Sequence, residues 1–121
     1  MLECILVGIG GFIGSVFRYL IGLLPMKPDN GFPVKTLFIN IVGSFIIGII
    51  VAFSVKHKSM NPNLILMLKV GVCGGFTTFS TFAYETADLL QGGNGILAVS
   101  YALLSVVLGI LAVFLAQMII K

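Results

Sequence analysis

The stretch GVCGGFTTFSTFAYE, residues 71–85, interrupts apolar sequence with paired glycines and a run of hydroxyl residues. Gly74 and Gly75 loosen a helix just before Thr77 and Thr78, which leaves two interpretations. In one, the helix breaks and frees backbone N–H and C=O groups, which inside a membrane must be buried in protein or line a cavity. In the other, the helix continues and its hydroxyls donate to the preceding turn. Either interpretation depends on whether the stretch lies in a membrane.

The composition of the whole chain places this stretch in a membrane. Of the 121 residues, 59% are apolar and 9% are charged, whereas soluble domains have about 45–50% and about 25%. Four apolar segments occupy residues about 4–24, 36–55, 64–90 and 96–120. Each is long enough for a helix to cross a hydrocarbon core of roughly 30 Å. The sequence therefore predicts one all-α domain, residues 1–121, that spans the membrane four times.

Several classes of function are excluded by the residues that carry chemistry. The lysines are scattered and form no basic run, so the sequence predicts no nucleic-acid partner. Cys4 and Cys73 lie far apart without metal-ligand spacing, and His57 stands alone in a short charged segment. No nucleophile and base are paired and no metal cluster is present, so the chain is not predicted to be an enzyme.

The positive charges are nearly balanced between the two sides of the predicted bundle. Four spans place both termini on one side, and the seven basic residues then divide four against three: Lys56, Lys58, Lys69 and Lys121 against Arg18, Lys27 and Lys35. Because cytoplasmic loops normally carry an excess of lysine and arginine, this balance specifies orientation weakly. The chain either inserts both ways and works as an antiparallel pair or has one weakly encoded orientation. Glycines spaced four apart, such as Gly10 and Gly14, favour close helix approach within or between subunits.

The polar residues of the spans are mostly neutral hydrogen-bond donors. Asn40 supplies an amide in the second span, and Tyr101 and Ser105, four apart, share a face of the fourth. Phe79 and Phe82 are three apart and share a face as well; such a pair is either core packing or a source of electropositive ring edges. Polar groups inside a membrane are costly and commonly functional. This set suits a small anion better than an organic amine or a proton-coupled cation.

Three blocks of the sequence resemble the Fluc (CrcB) family of fluoride channels. They are GGFIGSVFRY (residues 10–19), TLFINIVGSFIIG (residues 36–48) and GGFTTFSTF (residues 74–82), one in each of the first three spans. The length and the four-span layout agree with the family too. The resemblance implies a homodimer of oppositely oriented subunits, surrounded by lipid in the inner (plasma) membrane, with two pores that export fluoride passively and so reduce its toxicity.

The resemblance also implies roles for individual residues. The third helix is broken in mid-membrane, and main-chain carbonyls of Gly74 and Thr77 hold a structural sodium ion at the dimer centre. Arg18 matches a family arginine and is expected to be a vestibule or structural charge. The fourth span has no strong motif, and a further hydroxyl of the family falls at Gly109 here. The implied ion pathway comprises Asn40, Thr78, Phe79, Ser80, Thr81, Phe82, Tyr101 and Ser105.

Two other functions compete with the channel. A small proton-coupled exporter of organic cations also has about four spans, but its coupling needs a carboxylate inside the membrane. Here Glu85 and Asp88 are expected near a span end, and the chain has no tryptophan to stack on a flat cation. A non-conducting assembly subunit would explain the glycine faces but leaves the polar residues of the third span without a purpose.

Overall fold

The computed structural model describes residues 1–121 and contains four helices long and apolar enough to cross a membrane. Three are continuous: α1 (Leu2–Gly22), α2 (Val34–Lys56) and α6 (Gly95–Ile120). The third, Pro62–Gln91, consists of α3 (Pro62–Leu66), π-helical turns (Met67–Cys73), α4 (Gly74–Phe76) and α5 (Phe79–Gln91). The prediction of four apolar helices, the third of them interrupted, is confirmed.

The two ends of α2 carry lysines that cap neighbouring helices. Lys35 Nζ lies 2.8 Å from the carbonyl oxygen of Gly22 and 3.3 Å from that of Leu24, at the end of α1. Lys56 Nζ lies 3.3 Å from the carbonyl oxygens of Ile120 and Lys121, at the end of α6. A cation at a helix C-terminus satisfies orphan carbonyls and complements the helix dipole. These contacts join α1 and α6 to opposite ends of α2.

Glycines bring α1 into backbone contact with the first half of the third span. A Cβ added to Gly10 would lie 2.5 Å from the Met67 carbonyl oxygen, and one added to Gly75 would lie 2.6 Å from that of Gly11. A Cβ on Gly14 would collide with backbone as well. Such contacts need residues without side chains on both helices. Gly10 and Gly14 therefore serve packing inside one subunit.

On the other side of the bundle, α2 packs along α6, and α5 closes over one end of that pair. Leu89 of α5 and Ala98 and Tyr101 of α6 form a small buried cluster, against which Phe82 packs. Tyr101 is the only large side chain that is fully buried. The polar residues of α5 consequently lie beside the α2–α6 interface, where the candidate site forms.

Candidate ion pathway

The third span is interrupted by two extended residues, Thr77 and Thr78. The first helical half ends at Phe76, and the backbone of the next two residues has ψ values of 158° and 119°. The N–H and Oγ1 of Thr77 both donate to the Cys73 carbonyl, at 3.0 and 2.9 Å. Thr78 Oγ1 accepts from the Thr81 N–H at 3.2 Å and thus caps α5. Threonine hydroxyls therefore close both halves of the broken helix.

Asn40 of α2 holds the backbone of this break. Its Oδ1 accepts from the Thr78 N–H at 2.8 Å, and its Nδ2 donates to the Thr78 carbonyl at 3.1 Å. The two bonds fix which amide atom is oxygen and which is nitrogen, because each atom has one compatible partner. One amide hydrogen of Asn40 is left for another acceptor. The residue thus both positions the break and keeps a donor.

The break releases the carbonyl oxygens of Gly74 and Thr77 from the helical ladder. In a continuous helix they would accept from the N–H groups four residues later, those of Thr78 and Thr81. Those two donors are instead bonded to Asn40 Oδ1 and to Thr78 Oγ1. No turn, cap or side-chain hydrogen bond ends on either carbonyl. Backbone oxygens in this state are suitable ligands for a hard cation.

The neighbouring carbonyl, that of Gly75, accepts a hydrogen bond from Arg18. The Arg18 Nε of α1 lies 3.1 Å from this oxygen, and the side chain is half-buried. The guanidinium has five N–H donors, so four remain for other partners. Arg18 therefore ties α1 to the break while its charge stays beside the bundle interior, as a structural charge would.

Beside the break lies a cavity of about 260 Å³. Its lining includes five residues of the predicted pathway: Asn40, Thr78, Phe79, Phe82 and Ser105. Ser105 Oγ is buried and is the only buried side-chain nitrogen or oxygen of the protein without a hydrogen-bond partner. A buried hydroxyl without a partner is unfavourable and calls for a bound species. No acidic residue is among those that line this cavity.

The rings of Phe79, Phe82 and Tyr101 follow one another from α5 to α6 in tilted contacts. The ring centroids of Phe79 and Phe82 lie 5.7 Å apart, and those of Phe82 and Tyr101 lie 5.1 Å apart. Phe82 is half-buried within the subunit, whereas Phe79 is 78% exposed. The edges of such rings carry partial positive charge. Most of the Phe79 ring therefore lies on the surface of the chain.

A second, larger cavity of about 570 Å³ lies toward the loop between α1 and α2. Arg18, Thr81 and Glu85 are among its lining residues, and Thr78 lines both cavities. The two cavities therefore share Thr78 as a lining residue; they are called the inner cavity (about 260 Å³) and the outer cavity (about 570 Å³) below.

Glu85 lies near the end of the third span, as the sequence predicts, and it bonds there with residues of α2 and α6 that the sequence did not connect to it. Thr36 Oγ1 donates to Glu85 Oε2 at 2.9 Å, and the Tyr101 hydroxyl donates to Oε1 at 2.8 Å. Each carboxylate oxygen thus accepts from a neutral hydroxyl. A signal was present in the sequence, since Glu85 follows Thr78 and Thr81 on one face of α5, at spacings of seven and four.

The remaining predicted residues lie around the break rather than in the inner cavity. Thr81 lines the outer cavity, and its Oγ1 lies 3.1 Å from Thr78 Oγ1. Ser80 is exposed, with its hydroxyl 3.4 Å from the same atom. The Tyr101 hydroxyl is bonded to Glu85, and the Tyr101 ring packs against that of Phe82. The predicted residues thus lie in the lining of the two cavities or in contact with it.

Comparison with known proteins gives one consistent family. The family model for "CrcB-like protein, Camphor Resistance (CrcB)" matches residues 5–117. A relative from Ruminiclostridium cellulolyticum, named fluoride-specific ion channel FluC, is 43% identical over 122 residues, covering 100% of this chain and 94% of the relative. Relatives of the same name come from Chlorobium phaeobacteroides, at 42% identity over 97% of this chain and 91% of the relative, and from Gloeothece citriformis, at 41% over 100% and 98%.

Proposed function

The chain belongs to the CrcB family, and from this premise we propose that it is a fluoride-selective channel that lets fluoride leave the cell passively. It is a multi-pass membrane protein with four spanning helices, and the cell inner membrane is the site at which such export reduces fluoride toxicity. The activity is conduction, which needs no chemical step and no catalytic residue.

The observation that carries the proposal is the unpartnered hydroxyl of Ser105 in the inner cavity. Around it lie the free amide hydrogen of Asn40 and the rings of Phe79 and Phe82. Each of these groups offers an anion either a polar hydrogen or the electropositive edge of a ring, and none of them carries a full charge. A small anion in this cavity would satisfy the serine and would replace part of its own lost hydration.

Selectivity for fluoride follows from the size and the donor type of this lining. Fluoride is small and strongly hydrated, so a path must offer closely spaced donors to offset its dehydration. The inner cavity offers hydroxyl, amide and ring-edge groups from α2, α5 and α6. Pore width and the geometry of lining groups are the general means by which channels select ions. A larger halide fits the same spacing less well.

The structural sodium ion forms part of this proposal, and its ligands are the carbonyl oxygens of Gly74 and Thr77. Support comes from the hydrogen bonding of the break, since the helical donors for these two oxygens are bonded to side chains. Gly74 is also exposed at the surface of the subunit, where a symmetry-related pair of carbonyls can meet. When bound, the cation neutralises the carbonyl dipoles and raises the local potential, which favours a nearby anion.

A homodimer is the second part of the proposal, and the exposed side of the break supports it. Gly74, Phe79, Ser80 and Tyr84 are exposed in the subunit although they belong to the middle of the third span. Irregular backbone is tolerated at membrane depth only where protein or water covers it. A second copy supplies that cover, and the four-to-three balance of basic residues allows it to insert in the opposite orientation.

One observation favours the rival exporter of organic cations. Glu85 is a half-buried carboxylate that bonds with residues of two other helices, and proton coupling requires a carboxylate within the membrane. However, both of its oxygens accept from hydroxyls, and the inner cavity contains no acidic residue. The channel accounts for the donors of the inner cavity, which the exporter leaves without a role.

The test is fluoride efflux from liposomes that contain the purified protein. Vesicles loaded with potassium fluoride and given a potassium ionophore should release fluoride rapidly, and matched vesicles loaded with chloride should not. A pH gradient across the vesicle should leave the fluoride rate unchanged, because a passive channel moves no coupled proton. Release no faster than from protein-free vesicles would refute the channel, and proton-driven uptake of an organic cation would establish the exporter.

A further inference from the structure

The α2–α6 interface continues for one turn past the inner cavity. Asn40 and Ser105 line the cavity, and one turn further along their helices stand Ser44 and Gly109. These two residues face each other, because a Cβ added to Gly109 would lie 3.6 Å from Ser44 Oγ and within 4 Å of no other atom outside its own helix. The missing side chain of Gly109 thus leaves space at this level, and the Ser44 hydroxyl borders it.

At the next turn of α2 the two helices pack closely against each other. A Cβ added to Gly48 would lie 2.8 Å from the Cβ of Ala116 and 3.0 Å from the carbonyl oxygen of Val113. Ala116 is completely buried. Backbone therefore meets side chain directly at this level, so the two helices are more tightly packed beside Gly48 than beside Gly109.

We infer that Ser44 is a further residue of the ion pathway, which donates to the anion one turn beyond Asn40 and Ser105. The inference rests on the proposed function, since it extends the same path. At present the Ser44 hydroxyl donates to the carbonyl of Asn40 at 2.7 Å, within its own helix. Such back-bonding adds a second donor to a carbonyl that already belongs to the helical ladder. The hydroxyl can rotate its proton into the space at Gly109 without leaving this carbonyl unpaired.

Because Gly109 has no side chain, the hydroxyl can be moved from Ser44 to the facing helix, and this provides a direct test. Ser44→Ala should reduce fluoride efflux from liposomes about tenfold, which corresponds to about 1.4 kcal/mol in the barrier. Adding Gly109→Ser to Ser44→Ala should restore efflux to within about threefold of the parent, because the new hydroxyl enters the same space. Adding Gly109→Ala instead is the matched control, since it supplies the Cβ without the oxygen and should restore nothing.

The outcomes separate this inference from the proposed function. If the parent conducts fluoride and Ser44→Ala conducts at the same rate, Ser44 lies off the path and the inference is wrong. It is also wrong if Gly109→Ala restores efflux to the same extent as Gly109→Ser, because the added side-chain volume and not the added hydroxyl would then determine the rate. Failure of the parent itself would refute the channel. Equal elution volumes in size-exclusion chromatography and equal thermal unfolding midpoints for all variants would show that the efflux rates were measured on folded proteins.

Discussion

Asn40 and Thr78 exchange two hydrogen bonds across the interface between α2 and the broken third helix. The amide oxygen accepts at 2.8 Å from the Thr78 N–H, and the amide nitrogen donates at 3.1 Å to the Thr78 carbonyl. A side chain thus satisfies both polar groups of an extended residue, as a helical ladder otherwise would. The break is consequently stabilised by a residue 38 positions away in the chain.

Asn40→Leu should destabilise the protein because it leaves both backbone groups of Thr78 without their partners. Each unsatisfied buried group costs about 1–3 kcal/mol, so the midpoint of thermal unfolding in detergent should fall clearly. Ser54→Ala on the same helix is the matched control, since that hydroxyl donates only to Val51 O within its own turn. Equal midpoints for the two variants would show that the break does not depend on Asn40.

Gly75→Ala should force α1 and the third span apart. The new Cβ would lie 2.6 Å from the carbonyl oxygen of Gly11 and 3.0 Å from its Cα, and neither backbone atom can yield independently. Overpacking of this kind costs about 1–3 kcal/mol, and fluoride efflux should fall because the break begins at the next residues. Gly8→Ala is the control, as nothing lies within 4 Å of its added Cβ. Similar efflux and midpoints for both variants would contradict the close packing.

Phe79→Ile and Phe82→Ile should both lower fluoride efflux, by about tenfold, because an aliphatic side chain has no electropositive edge. Their effects on stability should differ. Phe82 packs against Tyr101 within the subunit, whereas Phe79 is 78% exposed there. Phe82→Ile should therefore lower the unfolding midpoint of the subunit more than Phe79→Ile does. Parent-like efflux from both variants would mean that the rings serve packing only.

Tyr101→Phe and Thr36→Val should show coupled effects on the free energy of unfolding, since both remove a hydroxyl that donates to Glu85. Neighbours in one network typically couple by about 0.5–3 kcal/mol. The double variant should therefore depart from the sum of the single ones by an amount in this range. Tyr101→Phe combined with Ser54→Ala, at the other end of α2, should be additive. If the free energies of unfolding were additive for both pairs of substitutions, Tyr101 and Thr36 would not share the Glu85 carboxylate.

The chain should insert in both orientations, because its basic residues divide four against three. A tag at the C-terminus should be accessible to protease from each side of the membrane in comparable fractions. Ser59→Lys gives five basic residues against three, and the triple variant Met26→Lys, Asp29→Lys, Lys58→Ser gives three against five; all of these positions are exposed. The two variants should therefore bias insertion in opposite directions. Either variant alone should then conduct poorly, while co-expression of the two should restore efflux. A single orientation of the parent would rule out the antiparallel dimer.

The class of protein and the division into four spans were determined by the sequence itself. Hydropathy and helix length are local properties, so apolar runs of about 20 residues predict spans without knowledge of their neighbours. The interruption was local as well, in that paired glycines before Thr77 and Thr78 marked where a helix can end. The donor residues Asn40 and Ser105 could be named because polar groups are rare in such spans.

Only the tertiary structure decided which of these groups face one another. The carboxylate of Glu85 accepts from Thr36, 49 positions away, and from Tyr101, 16 positions away, and no local pattern predicts either partner. The Tyr101 hydroxyl is bonded there, while Ser105, one turn on, faces the cavity without a partner. Both follow from how α2, α5 and α6 cross, which depends on contacts between distant residues, such as Gly48 with Ala116, and not on the composition of any one segment. Periodicity places a donor on a helix face, but helix packing determines what that face meets.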